Sequence, residues 1–167
     1  MAPLLLFLIL HKINRCNVYG NGWIVDITHR ITPEMISWGT GGVGLGQFLW
    51  LKKSIKKGDN INSSFMNLSV YTGTHVDAPG HFIGSDFDAG FHVDNLDLDV
   101  FNGVDYLSVA AYDDLDSAHI ELLMSKEIIP VEGLKLDEVD SGLYYVNCLP
   151  MRLIGAEGSP VRCVLLS

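Results

Sequence analysis

Cysteine is scarce in this chain. Cys16, Cys148 and Cys163 are its only three, too few for a disulfide framework and not at the spacing of a thiolate zinc site. The expected state of Cys148 and Cys163 is two buried thiols, with a bridge between them as the alternative. Basic residues are also few: 11 Lys and Arg face 20 Asp and Glu, a formal net charge of −9. Nucleic-acid binding needs clustered cations, so that class is excluded, and an acidic surface matches an anionic membrane poorly. The acidic excess serves solubility. Long apolar runs are missing too. Leu4 to Leu10, LLLFLIL, is a seven-residue run, far short of the roughly 20 residues that span a bilayer. Residues 1–15 read as a signal-like apolar head, although no basic residue precedes the run and no small-residue cleavage site follows it. Two glycosylation sequons, starting at Asn62 and Asn67, fit a secreted, extracellular chain. A secretory and a cytoplasmic location both stay open. Internal repeats and low-complexity tracts are absent.

What remains is a globular composition. Hydrophobic residues make up 48% and charged residues 19% of 167 residues, enough for one domain with a real core, assigned to residues 16–167. Trp23 to His29, WIVDITH, reads as a strand. Five glycines between Gly39 and Gly46 mark a loop. Phe48 to Leu51 is short and apolar, and Phe65 to Tyr71, FMNLSVY, has the period-two pattern of a strand. Asp116 or Ser117 can cap a helix running to about Lys126, with Ile120, Leu123 and Met124 on one face. Ile128 to Leu134, IIPVEGL, reads as a strand that Pro130 demotes toward an edge. Leu143 to Ile154 and Val161 to Leu166 read as strands of a hairpin, joined by the turn from Gly155 to Pro160. Strands dominate and helices are few, which defines an α+β or β/β/α architecture.

The chemistry concentrates in Thr72 to His81, TGTHVDAPGH. Residues two apart on an extended segment point to the same side, so His75 and Asp77 can converge on one ion. An imidazole nitrogen and a carboxylate oxygen suit a divalent transition metal. Gly73 removes a side chain where backbones pack closely, and Pro79 fixes the chain beyond the ligands. His81 can reach over the metal as a general base. Against this, a lone H-x-D in a loop is more often a hydrogen-bonded pair with no metal. Two downstream groups shift the balance. His119 falls near the start of the predicted helix, where an ordinary helical histidine is the plain alternative. Glu132 interrupts an apolar strand, where its burial costs free energy unless it is paired or bound to a cation; a half-exposed edge residue is the plain alternative there. His11, His29 and His92 are weaker candidates.

These residues carry a family resemblance. TGTHVDAPGHF, with VEGL and LPMRLIGAEGSPVRCVLL downstream, resembles the cyclase-like metal-dependent hydrolases, which include bacterial-type kynurenine formamidases and plant cyclase proteins. It extends over nearly the whole chain from Tyr19. YGNGWIVDITHRITPEM, FDAGFHVDNLDLDV and DYLSVAAYDDL look like the plant branch. The resemblance implies a strand-rich β/β/α swivelling-type fold, a homo-oligomer, and one or two divalent ions, zinc or manganese. It implies His75, Asp77, His119 and Glu132 as metal ligands, with His81 and Glu132 as catalytic groups. The implied reaction is hydrolysis of a small-molecule amide by metal-activated water, with N-formyl-L-kynurenine as the type substrate.

Two departures stand out. The family motif opens with a histidine four residues before His75, where this chain has Tyr71. A phenol is a poor zinc ligand at neutral pH, so the ligand set is weakened. Family members also carry a middle segment between their LDLDV-like and DYLSV-like stretches. Here only Phe101 to Val104 separates them, which implies an internal deletion near residues 100–105 and a fold truncated in the middle. A catalytically impaired scaffold, used for binding or assembly, is therefore the alternative function.

Overall fold

A computed structural model describes residues 5–6, 24–38, 41–97 and 101–166. Its strands are β1 (Leu5–Leu6), β2 (Ile24–Asp26), β3 (Leu49–Lys53), β4 (Ser63–Met66), β5 (His75–Asp77), β6 (Phe101–Gly103), β7 (Ile129–Glu132), β8 (Tyr144–Pro150) and β9 (Gly158–Leu166). Two α-helices accompany them, α1 (Gly84–Asp88) and α2 (Leu115–Met124). The fold is α+β, strand-rich and curled. Most of the apolar head lies outside the described residues; within it, Leu5 and Leu6 pair with Tyr145 and Tyr144 of β8.

Strand β9 organises the main sheet. Along one side it pairs β8 from Val161 to Leu166. Along the other, its first residues pair β5 and its last pair β2. The sheet continues from β5 to β7 and then to β6. β3 and β4 form a separate hairpin. The core lies where these strands meet α2, with Ile27, Val76, Leu123, Ile129, Leu134 and Leu165 all nearly solvent-free.

Several sequence expectations need correction. The strand expected over Phe65 to Tyr71 ends at Met66, and the chain turns before β5. Helix α2 starts at Leu115, with Asp114 as its N-cap residue, so neither Asp116 nor Ser117 is the cap. The hydroxyl of Ser117 instead donates to the Asp114 carboxylate. Its buried face is His119 and Leu123, one helical turn apart, while Met124 is exposed. Pro130 does not mark an edge. β7 lies between β5 and β6, and its ladder to β5 covers only Val131 and Glu132, so Pro130 sits where that ladder has ended and its missing N–H costs no bond there. The hairpin connection runs over residues 151–157, because β9 already begins at Gly158. Phe101 to Gly103, read as a junction, is itself a short parallel strand at the sheet edge.

Cys148 and Cys163 form a disulfide rather than two thiols. The β8–β9 register sets them directly opposite one another with Cα atoms 4.2 Å apart, within reach of a bridge.

Candidate metal centre and active site

The site is assembled where β5 and β7 run side by side. His75 and Asp77 alternate with Val76, so the two polar side chains share one face of β5 while Val76 enters the core. His75 pairs in register with Glu132. The approach of the two strands depends on glycine. Gly133 has φ +65°, and a Cβ there would lie 2.9 Å from the Gly73 carbonyl oxygen. Gly73 itself has φ +68°, a conformation that L side chains rarely adopt. Thr74 reinforces the contact by donating to the Gly133 carbonyl.

Helix α2 delivers His119 from the other side. Its Nδ1 hydrogen-bonds the Leu115 carbonyl at 2.6 Å, one turn back, which fixes the ring and directs Nε2 at Glu132. His81 arrives on the single 3-10 turn Pro79–His81, started by proline. The structure thus brings together all five residues singled out above: His75, Asp77, His81, His119 and Glu132.

His75, Asp77, His119 and Glu132 are only 1–3% exposed. The Nε2 of His75 is 3.3 Å from Glu132 Oε2 and 3.6 Å from Asp77 Oδ1. The Nε2 of His119 is 3.2 Å from Glu132 Oε1 and 3.6 Å from Asp77 Oδ2. The ligand atoms of His75, Asp77 and Glu132 lie within 4.8 Å of one another. Glu132 is well held: the Val109 N–H donates to Oε1 at 2.6 Å and the Ser108 hydroxyl at 3.1 Å. Both carboxylate oxygens of Asp77 are buried and accept no hydrogen bond. Two carboxyl groups and two imidazole nitrogens meeting at one point, one of the carboxyls with unsatisfied oxygens, fit a divalent cation.

The proton affinities follow from this packing. Burial opposes ionisation of Glu132, but hydrogen bonds from His119, His75 and the Val109 amide outweigh it and hold the carboxyl down at about 2. Asp77 lacks such donors, so burial pushes it up to about 7. Burial disfavours the charged forms of His75 and His119, yet their carboxylate neighbours and backbone carbonyls raise both. For His81, burial and the nearby His119 push its proton affinity down to about 4, so it is neutral at ordinary pH.

A cavity of about 190 Å³ opens onto the cluster, lined among others by Trp38, Tyr71, His81, Phe82 and His119. Phe82 stacks on His119 at 4.2 Å between centroids. Sequence reasoning did not single out Ser108, Val109, Trp38 or Phe82. Their spacing carries no local motif, and only the fold brings them to the site. Tyr71 was read as a lost ligand. It lies against His81, with its hydroxyl 2.7 Å from Nδ1 and the rings stacked at 4.1 Å.

This fold and buried His/Asp/Glu cluster define a class, and comparison with known proteins gives it a family. The Cyclase family model matches residues 25–132, and the chain belongs to that family. It is 41% identical over 224 residues to Cyclase-like protein 2 of Arabidopsis thaliana, covering 91% of this chain and 82% of the relative. That alignment is longer than the 167-residue chain, so the relative carries interior residues without a counterpart here. Kynurenine formamidase of Bacillus anthracis is 24% identical over 205 residues, covering 86% of this chain and 96% of the relative. Among solved structures, isatin hydrolase A from Labrenzia aggregata bound to benzyl benzoate superposes with a TM-score of 0.67 at 16% identity, covering 87% of this chain and 93% of that one. At that identity the likeness is one of fold.

Proposed function

We propose that this chain is a metal-dependent hydrolase of small aryl amides, of the arylformamidase type. One observation carries the proposal: a buried carboxylate, Asp77, has both oxygens free of hydrogen bonds at the centre of a His75–Asp77–Glu132 cluster beneath an aromatic-walled cavity. His75, Asp77 and Glu132 would hold a zinc or manganese ion, with His119 in reach of the same point. When bound, the ion supplies Lewis acidity toward a carbonyl oxygen and lowers the pKa of water. The chain's own groups supply the rest. His81, neutral at working pH, accepts a proton at the cavity wall. Ser108 and the Val109 amide keep Glu132 ionised and aimed. Phe82 and Trp38 offer flat apolar walls to an aromatic ring. The small cavity favours a compact substrate, and a kynurenine formamidase and an isatin hydrolase are among the proteins this chain is similar to.

The test is hydrolysis of N-formyl-L-kynurenine by protein stripped with a chelator and then reloaded with zinc or manganese. Activity that disappears and returns with the ion supports the proposal. Activity indifferent to the chelator defeats the metal-dependent part.

A second reading, a scaffold with little catalysis, is favoured by Tyr71 at the family's first histidine position and by the interior residues the relatives carry and this chain lacks. Tyr71→His separates the two: if it restores hydrolysis from background, the scaffold reading describes the wild type. Self-association belongs to the same proposal. The β3–β4 hairpin exposes Leu49, Leu51, Phe65 and Met66, and light scattering after size-exclusion chromatography would measure it. The Cys148–Cys163 disulfide favours an oxidising compartment, so we place the protein on the secretory route. No helix among the described residues is long and apolar enough to cross a membrane.

A further inference from the structure

Helix α2 ends on an unusual residue. Just past its last turn stands Lys126 with φ +60°, the only non-glycine among the described residues in the left-handed region. That position after a helix commonly falls to glycine, because a Cβ is crowded there. The backbone itself does something ordinary: the Lys126 N–H closes on the Leu123 carbonyl at 3.1 Å. Glycine would do the same with less strain, so the reason for a lysine lies in its side chain.

That side chain makes two contacts, both on one neighbouring loop. Its Nζ lies 3.1 Å from Asp86 Oδ1 on α1 and 4.0 Å from the centre of the Phe91 ring. A carboxylate and an aromatic face each attract an ammonium. The gripped loop is closed and stiff. The Gly80 N–H meets the Phe91 carbonyl at 3.3 Å, and the Phe91 N–H meets the Asp86 carbonyl at 2.9 Å. Gly80 packs so tightly that a Cβ there would lie 3.0 Å from Phe87 Cα.

Residues 79–91 also carry part of the site. His81 and Phe82 both line the cavity, and Phe82 stacks on His119 of α2. Loop and helix therefore touch at two places: at the site through Phe82 and His119, and seven residues further along the chain through Lys126. His119 and His81 each have a ring hydrogen bond of their own, to the Leu115 carbonyl and the Tyr71 hydroxyl. Neither of those bonds joins the loop to the helix. The grip of Lys126 does.

We infer that Lys126 is a positioning residue: it latches the 79–91 loop to α2 and so sets His81 and Phe82 against His119 across the cavity. The latch is a property of the fold; only its effect on catalysis rests on the hydrolase reading proposed above.

Lys126→Gly is the decisive variant, because glycine keeps the left-handed turn and removes only the grip. Hydrogen–deuterium exchange of the full chain, read by mass spectrometry, is expected to speed up by at least about threefold in peptides covering residues 79–91. Peptides of α2 should exchange no faster, and the urea midpoint should not fall. Lys126→Arg keeps a cation in reach of both partners and is expected to return the loop to wild-type exchange. With N-formyl-L-kynurenine, Lys126→Gly is expected to lower kcat/KM by about tenfold, since small displacements of positioned groups cost rate steeply; Lys126→Arg should recover most of that loss. A lysine that only ends the helix predicts the opposite: a glycine variant with unchanged loop exchange and unchanged kcat/KM. That result would overturn the latch. Faster loop exchange beside an unchanged kcat/KM would overturn the positioning role. If no form of the protein hydrolyses the amide, the hydrolase reading fails while the exchange data still decide the latch.

Discussion

His75 on β5 stands opposite Glu132 on β7, and their side chains meet with Nε2 3.3 Å from Oε2. This cross-strand pair ties the metal-binding chemistry to the sheet register. A slip of one residue would turn both groups to the opposite face. Asp77, on the same face as His75, completes the cluster but receives no hydrogen bond of its own.

Asp77→Asn should therefore separate binding from folding. The amide keeps the shape of the side chain but removes the charge that a cation needs. Metal uptake is expected to fall by at least about tenfold, the scale on which even supporting residues matter. The metal-free fold at pH 8 should be no less stable than wild type, since a buried carboxylate without donors is lost. Isothermal titration with zinc and urea unfolding check the two halves. Unchanged zinc affinity would remove Asp77 from the ligand set.

The metal's stabilising effect should depend on pH. Burial raises Asp77 from 3.8 to about 7 in the metal-free fold. Between those values the folded chain holds a proton that the unfolded chain has released. That contribution to stability is fully present below pH 3.8 and is lost as pH rises toward 7. A bound cation replaces the proton, so binding must expel it at lower pH. The rise in Tm on adding zinc should be larger at pH 8 than at pH 5.5. An equal or larger rise at pH 5.5 would contradict the raised Asp77.

Tyr71→His should strengthen zinc binding by about tenfold or more, because a neutral imidazole replaces a protonated phenol. The gain is expected in affinity, read by competition with a chromophoric chelator. Weaker binding than wild type would mean that position 71 cannot reach the ion.

Leu123 is fully buried on the face of α2 that also carries His119. Leu123→Ala should cost about 2–5 kcal/mol of stability, measured by urea denaturation. A loss well below that range would mean that α2 packs more loosely than its burial implies.

The site was more legible in the sequence than the fold that supports it. His75 and Asp77 share a face because alternation along an extended strand is a local rule. The register that sets Glu132 against His75, and Cys148 against Cys163, is a long-range property with no local signature. Helix α2 misled for a related reason. Its hydropathy favours Ile120 and Met124, but the chain buries His119 because its Nε2 meets Glu132. Pro130 looked like an edge marker only because the length of the β5 ladder is invisible in one strand's sequence.

The central claim is a metal site formed by His75, Asp77 and Glu132. The most direct measurement is elemental analysis of the purified, folded protein after loading with zinc or manganese and removal of excess ion, with His75→Ala as the control. The expected result is at least one tightly held ion per chain in the wild type, lost in the variant. Wild-type protein that folds yet retains no ion, or a variant that retains it in full, would contradict the account.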